Sequence, residues 1–128
     1  MESKKISSYK DLVVWQKGIE LVNDVYSITR KFPKEEMFGL TNQMRRASIS
    51  IPANIAEGWG RKSTKNYIQF IRISIGSLFE METMCIIAKN QNYIDERIYS
   101  TISANLEELG RMLNKLLQSL DKYTDQKH

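Results

Sequence analysis

The sequence predicts an all-α protein: an antiparallel up-down four-helix bundle, formed by a single domain over residues 1–128 with an ordered core of about 9–121. Apolar residues recur at spacings of three and four along nearly the whole chain, which is the period of an amphipathic helix. The strict alternation typical of strands is nearly absent. The segments between the periodic stretches are short, which favours antiparallel packing of neighbouring helices.

The first helix is predicted over residues 10–31. Its apolar side chains form two adjacent stripes, so about half of its circumference is suited to burial. The dipeptide Phe32-Pro33 ends it, because a residue that precedes proline disfavours the helical conformation.

The second helix is predicted to begin near Lys34 or Glu35 and to end at Gly58 and Gly60. Pro52 lies inside its apolar pattern. Proline lacks the backbone N–H that would bond to the carbonyl four residues earlier, so we expect either a kink or a break at this position.

The third helix is predicted from Ser63 or Thr64, either of which can cap it, to Asn90. Apolar residues cover about two thirds of its circumference, so we expect it to be central or to form part of a subunit interface. The fourth helix is predicted over residues 95–121, with one narrow stripe dominated by leucine. We expect the tail that follows it to fray.

Positive charge is concentrated between residues 45 and 72. This stretch holds six basic residues and one acid, whereas the whole chain has a net charge of only +4 and a pI of about 9.2. Local basicity of this kind is typical of a surface that binds a polyanion. The basic residues are Arg45, Arg46, Arg61, Lys62, Lys65 and Arg72.

The composition argues against an enzyme and predicts no metal and no cofactor. The single histidine, His128, is the last residue, so histidine-based catalysis and metal ligation are not expected. The chain lacks the Glu-x-x-His pairs of di-metal bundles, and Gly58 and Gly60 do not form a phosphate-binding loop. Cys85 lies on the apolar side of the third helix, where an inert core thiol is expected.

Two acids have unusual positions. Glu82 falls in the middle of the apolar face of the third helix, and Glu57 directly precedes the glycines that end the second. A buried carboxylate needs a charged or hydrogen-bonding partner. We therefore expect both to be buried structural acids, with an acid–base role for either as the alternative.

The basic residues allow two interpretations. They could bind nucleic acid, with Trp59 and Tyr67 among them to stack on bases. Alternatively, they form a solvated corner in which one arginine neutralises a buried carboxylate. We expect Arg61, Lys62, Lys65 and Arg72 to contact a polyanion, whereas Arg45 or Arg46 holds the structure together.

Three segments together resemble a known family: YKDLVVWQKGIELV, FPKEEMFGLTNQMRRASISIPANIAEGWGR and SIGSLFEMET. They are similar to the four-helix-bundle family named from proteins encoded in intervening sequences of bacterial 23S ribosomal RNA genes. The resemblance spans about residues 9–120 and implies a homopentameric ring with basic surfaces and a long, proline-kinked second helix. That family is in turn similar to the accessory variability protein of diversity-generating retroelements, which binds nucleic acid and assembles with a reverse transcriptase.

The sequence and the resemblance together predict a non-enzymatic, ring-forming protein that binds RNA or DNA with low sequence specificity. The alternative is a protein-interaction scaffold, such as an accessory subunit of a larger complex, that does not bind nucleic acid itself. The N-terminus has no signal peptide, no apolar run could span a membrane, and the lone cysteine fits a reducing compartment. We therefore expect a cytoplasmic protein.

Overall fold

The computed structural model describes residues 5–127 and contains four α-helices. They are α1 (Val13–Thr29), α2 (Leu40–Trp59), α3 (Thr64–Asn90) and α4 (Glu96–Lys127). Two short 3₁₀ helices, Tyr9–Asp11 and Lys34–Glu36, precede α1 and α2. Residues 5–127 include no strand, so the predicted all-α class is confirmed.

Each helix packs against two others. α2 packs against α1 and α3, and α4 packs against α3 and α1, whereas the backbones of the diagonal pairs do not approach each other closely. The contacts run in opposite chain order along neighbouring helices: Gly18 lies beside Pro52, and Thr29 lies beside Arg45. This arrangement encloses one core between the four helices.

The core is apolar and well packed. Fully buried side chains come from all four helices, and they include Val25, Ile51, Ile71 and Leu106. Burying one such side chain stabilises the fold by about 1.5–3 kcal/mol. No buried side-chain nitrogen or oxygen in the described part of the chain lacks a hydrogen-bond partner.

Pro52 does not break α2, which continues as a helix for seven residues beyond it. The proline is buried against α1 at Gly18, where an added Cβ would lie only 3.1 Å from Cβ of Pro52. Because it has no side chain, Gly18 lets α1 approach α2 closely at the pyrrolidine ring of Pro52. Of the two expected alternatives, a break is therefore excluded, and the kink stays a prediction.

Helix boundaries agree with the sequence where local signals set them. Ser63 caps α3 by accepting a hydrogen bond from the backbone N–H of Asn66, as predicted. The predicted start of the second helix is wrong. Residues 34–36 form a 3₁₀ turn instead, and α2 begins only at Leu40, whose N–H donates to Oε1 of Glu36.

The two ends of the chain also differ from expectation. Lys10 belongs to the first 3₁₀ turn, and α1 starts at Val13 and ends at Thr29. α4 continues to Lys127, so residues 122–127 are helical rather than frayed. His128 lies outside the described residues.

The seam between α1 and α4 is the least extensive of the four helix contacts. It is polar: the Nζ of Lys17 pairs with Oε1 of Glu108 at 3.1 Å. A cleft of about 260 Å³ opens along the same seam between Asp24 and Arg97. Burial, and then the charge of Glu20, raise the pKa of Asp24 above its ordinary value.

Candidate nucleic-acid interface

The turn between α2 and α3 carries the most accessible positive charge. Lys62 and Lys65 are both exposed, and neither ammonium has a carboxylate within 4 Å among the described residues. The turn is held at both sides, because Gly60 closes the end of α2 and Ser63 caps α3. A short, anchored turn therefore presents two unneutralised cations to solvent. We call residues 61–65 the basic turn.

Arg61 is part of this turn but has partners within the chain. Its guanidinium pairs with Glu57 at 2.5 Å and lies 4.9 Å from the centre of the Phe70 ring. Both partners of the ion pair are about half exposed, so their attraction is weakened by solvent. Arg61 therefore adds less free charge to the turn than its neighbours.

Arg72 continues the positive surface along α3. Its ion pair with Asp121 is long, at 3.9 Å, and both side chains are about half exposed. Surface pairs of this kind contribute about 0–1 kcal/mol, so the guanidinium can exchange partners readily. The exposed residues at positions 65, 69, 72, 76 and 80 follow helical spacing and form one stripe, which we call the α3 strip.

Arg45 has a structural position. Its Nε donates a hydrogen bond to Oγ1 of Thr29 at 2.9 Å, and its guanidinium lies 4.5 Å from the centre of the Tyr26 ring. Thr29 is itself buried and donates to the carbonyl of Val25 at 2.7 Å. Arg45 thus joins α2 to the end of α1, and the structure separates it from the basic turn.

Arg46, the next residue, is exposed and lines a groove of about 460 Å³ between α2 and α3. We call this the α2–α3 groove. Its lining is mainly polar, and it has an aromatic side chain at one end. The residues that define it are Phe38, Asn42, Gln43, Arg46, Ser77 and Glu80.

The aromatic residues differ from expectation. Tyr67 packs against Gly58, where an added Cβ would lie 2.9 Å from its Cδ1, and burial raises its pKa. Trp59 is half-buried. The most exposed aromatic of the described residues is instead Phe38, with 94% of its surface accessible just before α2. Sequence reasoning missed it; the glycine at position 39 indicates a turn, but no local signal indicates that the Phe38 side chain is exposed.

The two predicted structural acids are less buried than expected. Glu57 is exposed and pairs with Arg61, so the expectation of burial within one bundle is wrong for it. The reason is the direction of its side chain: Gly58, the next residue, is buried against α3, whereas Glu57 lies on the exposed face of α2. Glu82 is half-buried and makes no ion pair within the described residues.

Cys85 is a buried core thiol, as predicted. Burial, with a further contribution from the charge of Glu82, raises its pKa to about 12. A thiol with this pKa is almost wholly protonated at neutral pH and is a poor nucleophile.

Within residues 5–127 no group of three His, Cys, Asp or Glu side chains is arranged to hold a metal ion. None of the described helices is both long and apolar enough to cross a membrane.

Two further lysines lie at the same end of the bundle as the basic turn. Lys10 is in the 3₁₀ turn that packs against α2, and Lys122 directly follows the Asp121 that pairs with Arg72. Both are exposed. Sequence reasoning missed them because they are distant along the chain, and only the packing of the helices brings them to this end.

Comparison with known proteins gives a family and a fold. The family model described as 23S rRNA-intervening sequence protein matches residues 10–115. The chain is also similar to a crystal structure of a protein of unknown function from the S23 ribosomal protein family of Bacteroides thetaiotaomicron. The TM-score is 0.77 at 23% identity, over 82% of this chain and 98% of the other. No curated protein matches the chain.

Proposed function

The chain belongs to the family of 23S rRNA-intervening sequence proteins, and we propose that it is a non-enzymatic, ring-forming bundle that binds RNA or DNA. Binding would have low sequence specificity and would be led by phosphate contacts. The observation that carries this proposal is the basic turn, where Lys62 and Lys65 are exposed and unpaired within the described chain. When lysine side chains bind phosphates, they displace the counterions that are condensed on the nucleic acid. The release of these counterions drives binding.

The arrangement of the other basic residues supports the same function. Arg72 extends the positive surface along the α3 strip, and Arg46 extends it into the α2–α3 groove. Arg45 is excluded from this surface by its contacts with α1. The proposed interface therefore contains five of the six predicted basic residues, with Arg61 partly neutralised by Glu57.

Assembly would strengthen a surface of this modest size. Several large apolar side chains on α3 are exposed in the single chain, among them Ile73, Phe79 and Ile86 at 50%, 58% and 48%. Exposed apolar area on this scale is typical of a subunit contact. In a ring of five copies, the basic turns would bind one polyanion together, and multivalency would raise the overall affinity.

The test is a titration of labelled single-stranded RNA and duplex DNA at about 50 and 200 mM salt. We expect binding that weakens steeply with salt. Replacing Lys62 and Lys65 with alanine should weaken binding and reduce the slope of log K against log salt by about two for each basic turn that contacts the nucleic acid. The matched control replaces Arg97 and Arg111, which are also exposed but lie on α4, outside the basic turn and the α2–α3 groove. Light scattering should give a mass near five times 14.9 kDa.

A scaffold function is the second candidate, and the exposed apolar side chains of α3 favour it. In that case the ring would bind a protein, such as a reverse transcriptase or another partner, and the basic turn would serve that contact. Absence of nucleic-acid binding at low salt, from a chain that still assembles, would refute the first proposal and support the second.

A further inference from the structure

We propose that the α2–α3 groove binds a nucleobase, with Phe38 as the stacking platform, so that the protein prefers single strands to duplexes. This inference rests on the proposed nucleic-acid function and adds a second, chemically distinct subsite to the basic turn. The groove should contact the faces and edges of bases, whereas the basic turn should contact phosphates.

The exposure of Phe38 indicates a ligand. The ring is 94% exposed, the highest value among the large apolar side chains, although core positions are close by in α2. Phe38 therefore contributes almost nothing to the packing of the single chain. An aromatic ring held in water beside a groove has one face free for stacking, and every base offers a complementary π-face.

Four polar side chains of the groove are without partners among the described residues, whereas Ser77 and Ser50 are hydrogen-bonded to each other. Asn42, Gln43, Arg46 and Glu80 make no side-chain hydrogen bond or ion pair with any other described residue. Amide side chains offer both a donor and an acceptor, which suits the edge of a base. A carboxylate accepts hydrogen bonds from amino groups on bases, and a guanidinium binds phosphate.

The size of the groove fits this class of ligand. Its volume of about 460 Å³ lies within the range of roughly 300–1,000 Å³ that is typical of small-molecule sites. The apolar floor is provided by Ala47 and Met84, and the polar groups surround it. A flat heterocycle with polar edges matches an apolar floor with a polar rim.

The groove and the basic turn lie at the two ends of the α3 strip. The α3 strip runs from Lys65 through Arg72 to Glu80, which lines the groove, and all of its residues are exposed. Along α2, Arg46 and Trp59 are about 20 Å apart at 1.5 Å per residue. A single strand of several nucleotides could follow the strip with its phosphates on the basic turn and Arg72, and a base in the groove.

This arrangement selects against duplexes. In a double helix both faces of each base are stacked on neighbouring bases, so an aromatic side chain of the protein cannot reach them. Phosphates, by contrast, are equally accessible in both forms. The basic turn should therefore bind single strands and duplexes alike, whereas Phe38 should contribute only to the binding of single strands.

The experiment measures binding of a labelled single-stranded oligonucleotide and the matching duplex to the full chain and to Phe38→Ala. We expect the variant to bind the single strand roughly 5- to 150-fold more weakly, which corresponds to about 1–3 kcal/mol for one stacked base. Binding of the duplex should be unchanged, and Phe38→Trp should restore binding of the single strand. Because Phe38 is exposed, Phe38→Ala should keep the melting temperature of the original chain.

Val13→Ala is the matched control, since Val13 is also an exposed apolar residue, at 53%, but lies away from the groove. An unchanged affinity of Phe38→Ala for the single strand would overturn the inference while the phosphate-led function stands. A lower mass in light scattering with unchanged affinity would also overturn it, because Phe38 would then be a subunit contact. If the original chain binds neither nucleic acid, both proposals fail.

Discussion

Gly58 provides the sharpest test of how the basic turn is positioned. It lies one residue before the end of α2, where that helix approaches α3 closely. A Cβ added at Gly58 would lie 2.8 Å from Cβ of Phe70, 2.9 Å from Cδ1 of Tyr67 and 3.3 Å from the Tyr67 carbonyl oxygen. Carbon atoms in contact prefer about 3.5–4.0 Å, so Gly58→Ala must push the two helices apart or displace both rings.

The expected magnitude follows from two opposing contributions. Overpacking of this kind lowers the free energy of unfolding by about 1–3 kcal/mol. Replacing a glycine in a helix with alanine raises it by up to about 1 kcal/mol. The net destabilisation should therefore be about 1–2 kcal/mol. With an unfolding entropy of about 2.1 cal/mol/K per residue, a chain of 128 residues should melt roughly 4–7 °C lower.

The assay is thermal unfolding followed by circular dichroism at one fixed protein concentration, because assembly would make the midpoint depend on concentration. Gly76→Ala is the matched control. An added Cβ at Gly76 has no neighbour within 4 Å, so alanine should stabilise α3 by about 0.5–1 kcal/mol. A Gly58→Ala variant as stable as the original chain, alongside a stabilised Gly76→Ala, would refute the close-approach argument.

Two further predictions concern side chains that join distant segments. Arg45→Ala should destabilise the fold by about 1–2 kcal/mol, because it loses a hydrogen bond and a cation–π contact with α1, yet leave the salt dependence of RNA binding unchanged. A reduced salt slope would place Arg45 in the interface instead. The pKa of Glu36 is lowered, first by the N–H of Leu40 and then by the hydroxyl of Tyr93. The ionised Glu36 carboxylate therefore stabilises the fold at pH values above its ordinary pKa of 4.5. This contribution is lost as pH falls through the lower pKa that Glu36 has in the folded chain. Glu36→Gln should flatten the fall in melting temperature below about pH 5, and an identical pH profile in both chains would contradict this assignment.

Local signals in the sequence predicted much of the fold. Ser63 caps α3 through a bond three residues away, so its role was visible in the sequence. The start of α2 was not, because Glu36 is held by the hydroxyl of Tyr93, which lies 57 residues further along the chain. The continuity of α2 through Pro52 likewise depends on Gly18 in another helix. Contacts of this range have no local pattern from which to predict them.

The candidate site was predictable in composition but only partly in arrangement. Charge counting identified the basic residues, and only the structure shows that Arg45 faces α1 whereas Arg46 faces the groove. The helical wheel gave the direction of Glu82 on α3. It did not give the extent of cover from neighbouring helices, which leaves this carboxylate half-buried. The exposure of Phe38 depends on the path of the whole turn before α2.

The uneven packing of the four seams has a consequence for dynamics. The first and last helices meet at the polar, least extensive seam, whereas α2 and α3 share the most extensive one. Local opening should therefore begin where α4 leaves α1, and amide protons there should exchange with solvent before those of α2 and α3. The groove lies between α2 and α3, the pair expected to exchange slowly, and the basic turn connects these two helices. A ligand would meet a surface that is already ordered, so little conformational entropy would be lost on binding.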